Sequence, residues 1–211
     1  MTAFIEGILL FFVLFFRMPQ GMPEGPIGFF ANAELAKIIL YTIPAIALIW
    51  YLLLKSKSLK ELGISLPKKN DIFALLISFP ALLLISFTIF YASSYLDKSI
   101  AEVPSLLAPQ TLLSWFLLGF SCLFSAFLEE SYFRFYLLSK NEDMKINPHV
   151  AVLISTFLFA YCHIYEGPWG FLNAALCGIV LCYVFLRFRS LYGITIAHAG
   201  YNFLVYVLTA T

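Results

Sequence analysis

The chain has 211 residues, 62% of them hydrophobic and only 12% charged, with a mean hydropathy of +0.90 and a formal net charge of +1. A soluble domain carries about twice that charged fraction. The composition therefore excludes an ordinary soluble fold and points to a polytopic helical membrane protein, one membrane-embedded domain over residues 1–211. No basic cluster is interleaved with aromatic residues, so nucleic acid is not an expected partner, whereas the lipid bilayer is.

Seven apolar segments are predicted, at about 2–16, 35–54, 71–96, 111–138, 148–165, 168–187 and 191–210. The first, MTAFIEGILLFFVLFF, lacks a basic leading region, and its small-x-small site at Ala31–Ala33 is too distant for cleavage. It reads as a retained helix, short for a span and possible as an interfacial or re-entrant piece. The proline- and glycine-rich stretch RMPQGMPEGPIGFFANAE that follows reads as loop. Pro44 and Pro80 fall within spans, where kinks are tolerated because neighbouring groups satisfy the freed carbonyls. Cys122, Cys162, Cys177 and Cys182 all lie in apolar segments with no CxxC spacing and read as buried free thiols.

Lysine and arginine placement orients the bundle. Lys55, Lys57, Lys60, Lys68, Lys69, Lys140, Lys145, Arg187 and Arg189 share one side, against Arg17, Lys37 and Lys98 on the other. This asymmetry places the N-terminus in the cytoplasm and the C-terminus outside. The expectation is an all-α, polytopic transmembrane bundle of about seven spans, multi-pass in the plasma or inner membrane, with a four-helix core at 110–210.

Within the fourth segment stand two adjacent glutamates, Glu129 and Glu130. A charge at the centre of a membrane helix costs roughly 2.5–3.5 kcal/mol on insertion scales, so such groups imply partners or chemistry. Successive helical residues are about 100° apart, so the two carboxylates face different ways. Arg134, four residues after Glu130, sits in the favourable order for an intrahelical ion pair. Glu129 is left as the carboxylate available to take a proton from water. The bland alternative is that both acids only hold helices together.

His163 ends the fifth segment, four residues after Phe159; alone it reads as an interfacial anchor. His198 and Asn202 are four residues apart on the last helix, with Gly200 between them allowing close approach. Alone they read as interhelical hydrogen-bond contacts. Jointly the three segments supply a hydrolytic set. Glu129 and His163 would hold and activate a water, and His198 and Asn202 would donate hydrogen bonds to the oxyanion. No serine has a supporting GxSxG context, and Cys162 points about 100° away from His163. A zinc version would use Glu129, His163 and His198 as ligands. Against it stand the absence of HExxH and the amide beside His198, so no cofactor is expected. Glu6, His149 and Asn173 read as packing, solvated and second-layer groups.

Glu129-Glu130-Ser131-Tyr132-Phe133-Arg134 fits EExxxR, Phe159 to His163 fits FxxxH, and His198 to Asn202 fits HxxxN. In that order the three motifs resemble those of the CPBP intramembrane proteases, the CAAX-protease and bacteriocin-processing (Abi) family. The lysine-rich loop ending in LGI is also similar to members of that family. The resemblance implies a glutamate-dependent intramembrane endopeptidase with Glu129 as general base and His163 holding the water. It implies His198 and Asn202 as the oxyanion hole and Glu130 with Arg134 in support. The implied substrate is a membrane-anchored or lipidated protein or peptide, prenylated or carrying a C-terminal tag. This chain is shorter than prenyl endopeptidases, which leaves the substrate open. The competing reading is a non-enzymatic transporter or bacteriocin-immunity factor whose buried acids relay protons or bind a peptide. Counting residues from the basic ends puts Glu129 and His198 in the cytoplasmic half, at roughly 10–14 Å, but His163 at about 22 Å.

Overall fold

The computed structural model describes residues 2–16, 28–55, 68–96 and 107–210, with side chains in the first segment from residue 5 onward. Arg17, Lys57, Lys60, Lys98 and most of the three expected loops that contain them lie outside these residues, as does the LGI sequence. Among the described residues all seven predicted segments are helical, and the architecture is an all-α bundle. They are α1 (Thr2–Leu14), α2 (Ala31–Leu54), α3 (Lys69–Leu96), α4 (Leu112–Asp143), α5 (Pro148–Tyr161), α6 (Gly167–Phe188) and α7 (Leu191–Thr209).

Five of these, α2, α3, α4, α6 and α7, are long and apolar enough to cross a membrane, whereas α1 and α5 are shorter apolar helices. At 1.5 Å per residue the two short ones reach only about 20 Å. Large apolar side chains such as Leu40, Leu84 and Leu153 are exposed along the helices, the pattern of a surface facing lipid rather than water. The chain is a multi-pass integral membrane protein.

Two departures from the expected boundaries have local causes. The second helix begins at Ala31, inside the stretch read as loop, because the residues after Phe30 carry no proline until Pro44. Pro44 has no N–H to give, and the turn just before it, Ile38–Thr42, widens to a π-helix in which the Ile43 N–H reaches the Ile38 carbonyl. The fourth helix runs to Asp143, five residues past the expected end at 138, and its middle, Glu130–Tyr136, is a second π-helical stretch.

That stretch is the hub of the bundle, with all seven of its residues buried. A π turn leaves helix carbonyls more open to outside donors, and here Ser155 of α5 donates to the Phe133 carbonyl at 2.5 Å. Tyr132 donates to the Gly7 carbonyl of α1 and Tyr136 to Glu6, each at 2.7 Å. Trp50 of α2 donates to Ser131 at 3.2 Å. Phe135 meets Phe185 of α6 edge-on, with ring centres 6.0 Å apart. Glu6, bland in the sequence, is thus an acceptor that gives a buried phenol its partner.

The remaining helices pack around this hub, α3 lying against both α6 and α7, and α5 against α6. The ends of α3, α4, α6 and α7 meet at one pole. Ser190, which caps α7, bonds Asp71; Asn70 donates to the Phe188 carbonyl, and Arg189 pairs with Glu142. Lys68, Lys69, Lys140, Lys145, Arg187 and Arg189 therefore gather at this end, together with Lys55 at the close of α2. At the same pole Gly193 lets α7 press on the start of α3. A Cβ there would lie 2.8 Å from the Ala74 Cβ and closer still to the Asp71 carbonyl oxygen. Backbone cannot yield as a side-chain tip can, so Gly193→Ala is expected to destabilise the protein by about 1–3 kcal/mol. Thermal unfolding of the detergent-solubilised variant measures this, and an unchanged midpoint would contradict the packing.

Candidate active site

The two glutamates straddle the point where the ordinary helix of α4 becomes π-helical. Glu129 is the last residue before the change and Glu130 the first after it. Glu130 and Arg134 form the expected ion pair, Oε1 to Nη1 at 3.0 Å, with both side chains at 0% exposure. The same Glu130 Oε1 lies 2.8 Å from Nδ1 of His198 on α7. A carboxylate paired to arginine has no hydrogen to give, so His198 Nδ1–H is the donor. Sequence reasoning paired Glu130 with Arg134 alone; the third member, across 68 residues, has no local signature.

Holding Nδ1 fixes the histidine's other nitrogen. His198 Nε2 points to Glu129, 3.7 Å from its Oε2. That separation is too long for a hydrogen bond but close enough for one mobile proton or one water to serve both groups. Glu129 is the more accessible acid, at 25% against zero for Glu130, and its buried Oε2 has no hydrogen-bond partner in the protein. The two carboxylates thus occupy different environments, as the helical geometry required.

Phe159 brings the FxxxH motif to this cluster. The Arg134 guanidinium lies over its ring at 4.1 Å, a cation–π contact that shields the charge from the apolar interior. The His198 ring meets Phe159 edge-on at 5.9 Å, and the His163 ring lies 4.8 Å away on the same residue. His163 sits just past the end of α5 and turns back so that its Nδ1 donates to the Phe159 carbonyl at 2.9 Å. A carbonyl can only accept, so His163 too has Nδ1 committed and Nε2 open. The sequence reading noted Phe159 only as a neighbour one turn back; the structure makes it the residue on which both imidazoles and the guanidinium rest.

Gly178 of α6 completes the floor. A Cβ there would lie 3.2 Å from Phe159, 3.3 Å from the Thr156 methyl and 3.5 Å from Arg134 Nη2. Its lack of a side chain is what lets Phe159 and Thr156 of α5 close onto α6. Asn202 is half-buried, one turn beyond His198 on α7. Around that turn Tyr201, Ser86 of α3 and Asn173 of α6 form a closed set of hydrogen bonds, 2.5, 2.8 and 3.2 Å. Asn173 therefore fixes how α7 lies against its neighbours, in keeping with its expected second-layer role.

Along the chain Glu130 is 13 residues from Asp143, His163 is 15 from Pro148 and His198 is seven from Leu191, so three helices of different reach converge on the site. His149 begins α5 rather than lying in a loop, exposed, with its Nδ1 2.7 Å from the Tyr183 hydroxyl. The four cysteines are free thiols, and Cys162 donates to the Leu158 carbonyl at 3.3 Å. Among the described residues no group of three or more His, Cys, Asp or Glu side chains is placed to hold a metal ion.

Residues 110–204 match the family model described as type II CAAX prenyl endopeptidase, Rce1-like. Over that segment the chain is similar to the CAAX-protease family. Neither the curated proteins nor the solved structures yield a match. The matched segment carries all three motifs and every residue of the cluster just described, and the family's general character is that of an intramembrane protease.

Removing Arg134 would leave Glu130 as a buried carboxylate balanced only by His198. Losing one partner of a buried pair costs about 3–5 kcal/mol. Arg134→Ala is accordingly expected to reduce the yield of folded protein sharply, whereas Glu129→Gln is expected to leave the thermal midpoint within a few degrees of wild type. Size-exclusion profiles and melting curves of both variants distinguish the structural carboxylate from the available one.

Proposed function

We propose that this chain is a glutamate-dependent intramembrane endopeptidase that cleaves a membrane-anchored or lipidated protein or peptide. The observation that carries this reading is the unequal environment of the paired acids. Glu130 is fully buried and locked between Arg134 and His198, while Glu129 is partly accessible and faces His198 Nε2.

The chemistry follows from which nitrogens remain open. Glu129 takes a proton from a water that its carboxylate and His163 Nε2 orient, and the water oxygen attacks the peptide carbonyl. Asn202 donates its amide N–H to the developing oxyanion in any protonation state. His198 donates there only when Nε2 carries a proton, because Nδ1 is committed to Glu130. Passing the proton across from Glu129 makes His198 an imidazolium, held by Glu130. It then stabilises the oxyanion and can give the proton to the leaving amine nitrogen. The peptide C–N bond breaks and the amine leaves with that proton, while the water's oxygen and its second proton end in the new carboxylic acid, which returns Glu129 bare and His198 neutral. Glu130 thereby acquires a role beyond helix bracing: it sets the tautomer of His198.

The mechanism as proposed needs no metal. Active, purified enzyme should contain far less than one zinc per chain by elemental analysis and should keep its activity after dialysis against a chelator; stoichiometric zinc whose removal abolishes cleavage would overturn this.

Glu129→Gln is expected to lower turnover by about 10²–10⁴, the usual span for a lost general base, with substrate still bound. Asn202→Ala is expected to cost about 10²–10³ in kcat with little change in KM, as for loss of one oxyanion donor. Comparing protein termini in membranes from cells with wild-type or Glu129→Gln protein supplies the substrate for both assays. Retained cleavage by a folded Glu129→Gln protein would favour the proton-relay or immunity reading instead.

A further inference from the structure

Exposure around the site is one-sided. From Glu130 toward the basic pole, every residue through Ser139 is buried, and Tyr132, Phe133, Arg134 and Tyr136 have no exposed surface at all. That direction is sealed by the aromatic hub and by α1. In the opposite direction Glu129 is 25% exposed, His163 and Asn202 are half-buried, and Tyr165, two residues past His163, is 51% exposed.

The helices explain the asymmetry. Beyond the level of Glu130, α5 stops at Tyr161 and the chain turns through Ile164–Glu166 into α6. The first half of α4, Leu112–Glu129, runs on past that level for about 27 Å. There it packs against α2 and α7 and makes no substantial contact with α5 or α6. Among the described residues the bundle therefore parts on this side, with Glu129 on one flank and His163 on the other.

The basic residues decide which side of the membrane this is. Seven lysines and arginines of the described chain stand at the sealed pole, where Asp71, Ser190, Glu142 and Arg189 join the helix ends. Cytoplasmic ends of membrane helices carry the excess of such residues. The sealed pole is then cytoplasmic, and the open flank faces the other way.

We propose that the active site opens toward the extracytoplasmic half of the bilayer and takes a peptide segment presented from that side, such as the outer juxtamembrane part of an anchored or exported protein. This rests on the proteolytic reading for the word substrate, but the direction of the opening does not depend on turnover. A tail that stays in the cytoplasm would meet the buried layer from Ser131 to Ser139 and could not reach Glu129.

The test uses the full chain in intact cells. Tyr165→Cys at the open flank and Lys69→Cys at the basic pole are each treated with a membrane-impermeant maleimide, with the unsubstituted protein setting the background from its native thiols. Tyr165→Cys should label at least ten times more than Lys69→Cys before permeabilisation, and the two should become similar after it. Labelling of Lys69→Cys alone in intact cells, or no labelling of Tyr165→Cys under either condition, would overturn the proposal. An epitope inserted after Lys145 gives an independent reading without cysteine chemistry: it should be reached by antibody only in permeabilised cells, and recognition on intact cells would reverse the orientation. Because neither measurement reads cleavage, an inactive protein with the expected pattern would refute the protease reading and leave the direction of opening intact.

Discussion

One buried carboxylate organises this molecule. Glu130 has no exposed surface, and its Oε1 alone holds both the Arg134 guanidinium and the His198 imidazole. A lone ionised group at this depth would be intolerable in a lipid-immersed bundle. The pairing with Arg134 cancels its charge, and the contact with His198 ties α4 to α7. The pair still requires surroundings that accept a guanidinium, and Phe159 meets that need with its ring face, which the empty Cβ position of Gly178 lets lie close against α6. Stability and chemistry are therefore inseparable here. The contact that makes the charge tolerable also fixes the nitrogen that faces Glu129.

The π-helical stretch from Glu130 to Tyr136 shows how the chain accommodates so many inward-facing groups. An ordinary helix turns one stripe to the core and the remainder outward. In this stretch no residue is turned outward, and its polar side chains reach different neighbours: Ser131 meets Trp50, Tyr132 meets Gly7, Arg134 meets Glu130 and Tyr136 meets Glu6. The short helix α1 is what makes this possible. Too short to be a comfortable span, it covers the two tyrosines and supplies both phenols with acceptors, so its value to the fold lies in what it covers.

Much of this was legible in the sequence, for reasons that differ by residue. Apolar segments announce themselves, and intramembrane charges are so costly that Glu129, Glu130 and Arg134 could hardly be missed. Spacing of four residues sufficed to pair Glu130 with Arg134 and to set His198 and Asn202 on one face. What stayed hidden has no local signature. Phe159 is one phenylalanine among 23, and nothing nearby says that three charged or titratable side chains rest against its ring. Gly178 looks like any small residue in an apolar helix, since the atoms that need its space belong to α4 and α5. The π turns escaped because hydrophobic periodicity barely distinguishes one added residue per turn, although Pro44 just after the first was a usable hint. The end of the fourth helix was misjudged because Lys140 and its polar neighbours looked like loop, yet they continue the helix to Asp143.

Charge bookkeeping within the cluster constrains the proposed reaction further. Arg134 brings one positive charge, and the two glutamates bring up to two negative ones. With Glu129 bare and His198 neutral the cluster carries one net negative charge, and the two places that can accept the water's proton, Glu129 and His198 Nε2, stand 3.7 Å apart. A proton on either gives the same net charge, so moving it between them does not alter the charge felt by the surrounding hydrocarbon. Catalysis by general base and oxyanion donor asks for that exchange: a bare Glu129 when the water is activated, and a protonated His198 once the tetrahedral carbon has formed. In a low-dielectric interior, a step that creates net charge would be opposed by the bilayer at every turnover. Here the site with its water keeps a single negative charge throughout, first on Glu129 and then on the oxyanion, and Arg134 holds it to one rather than two, which gives a physical reason for Arg134 to sit so near the reacting centre without touching it.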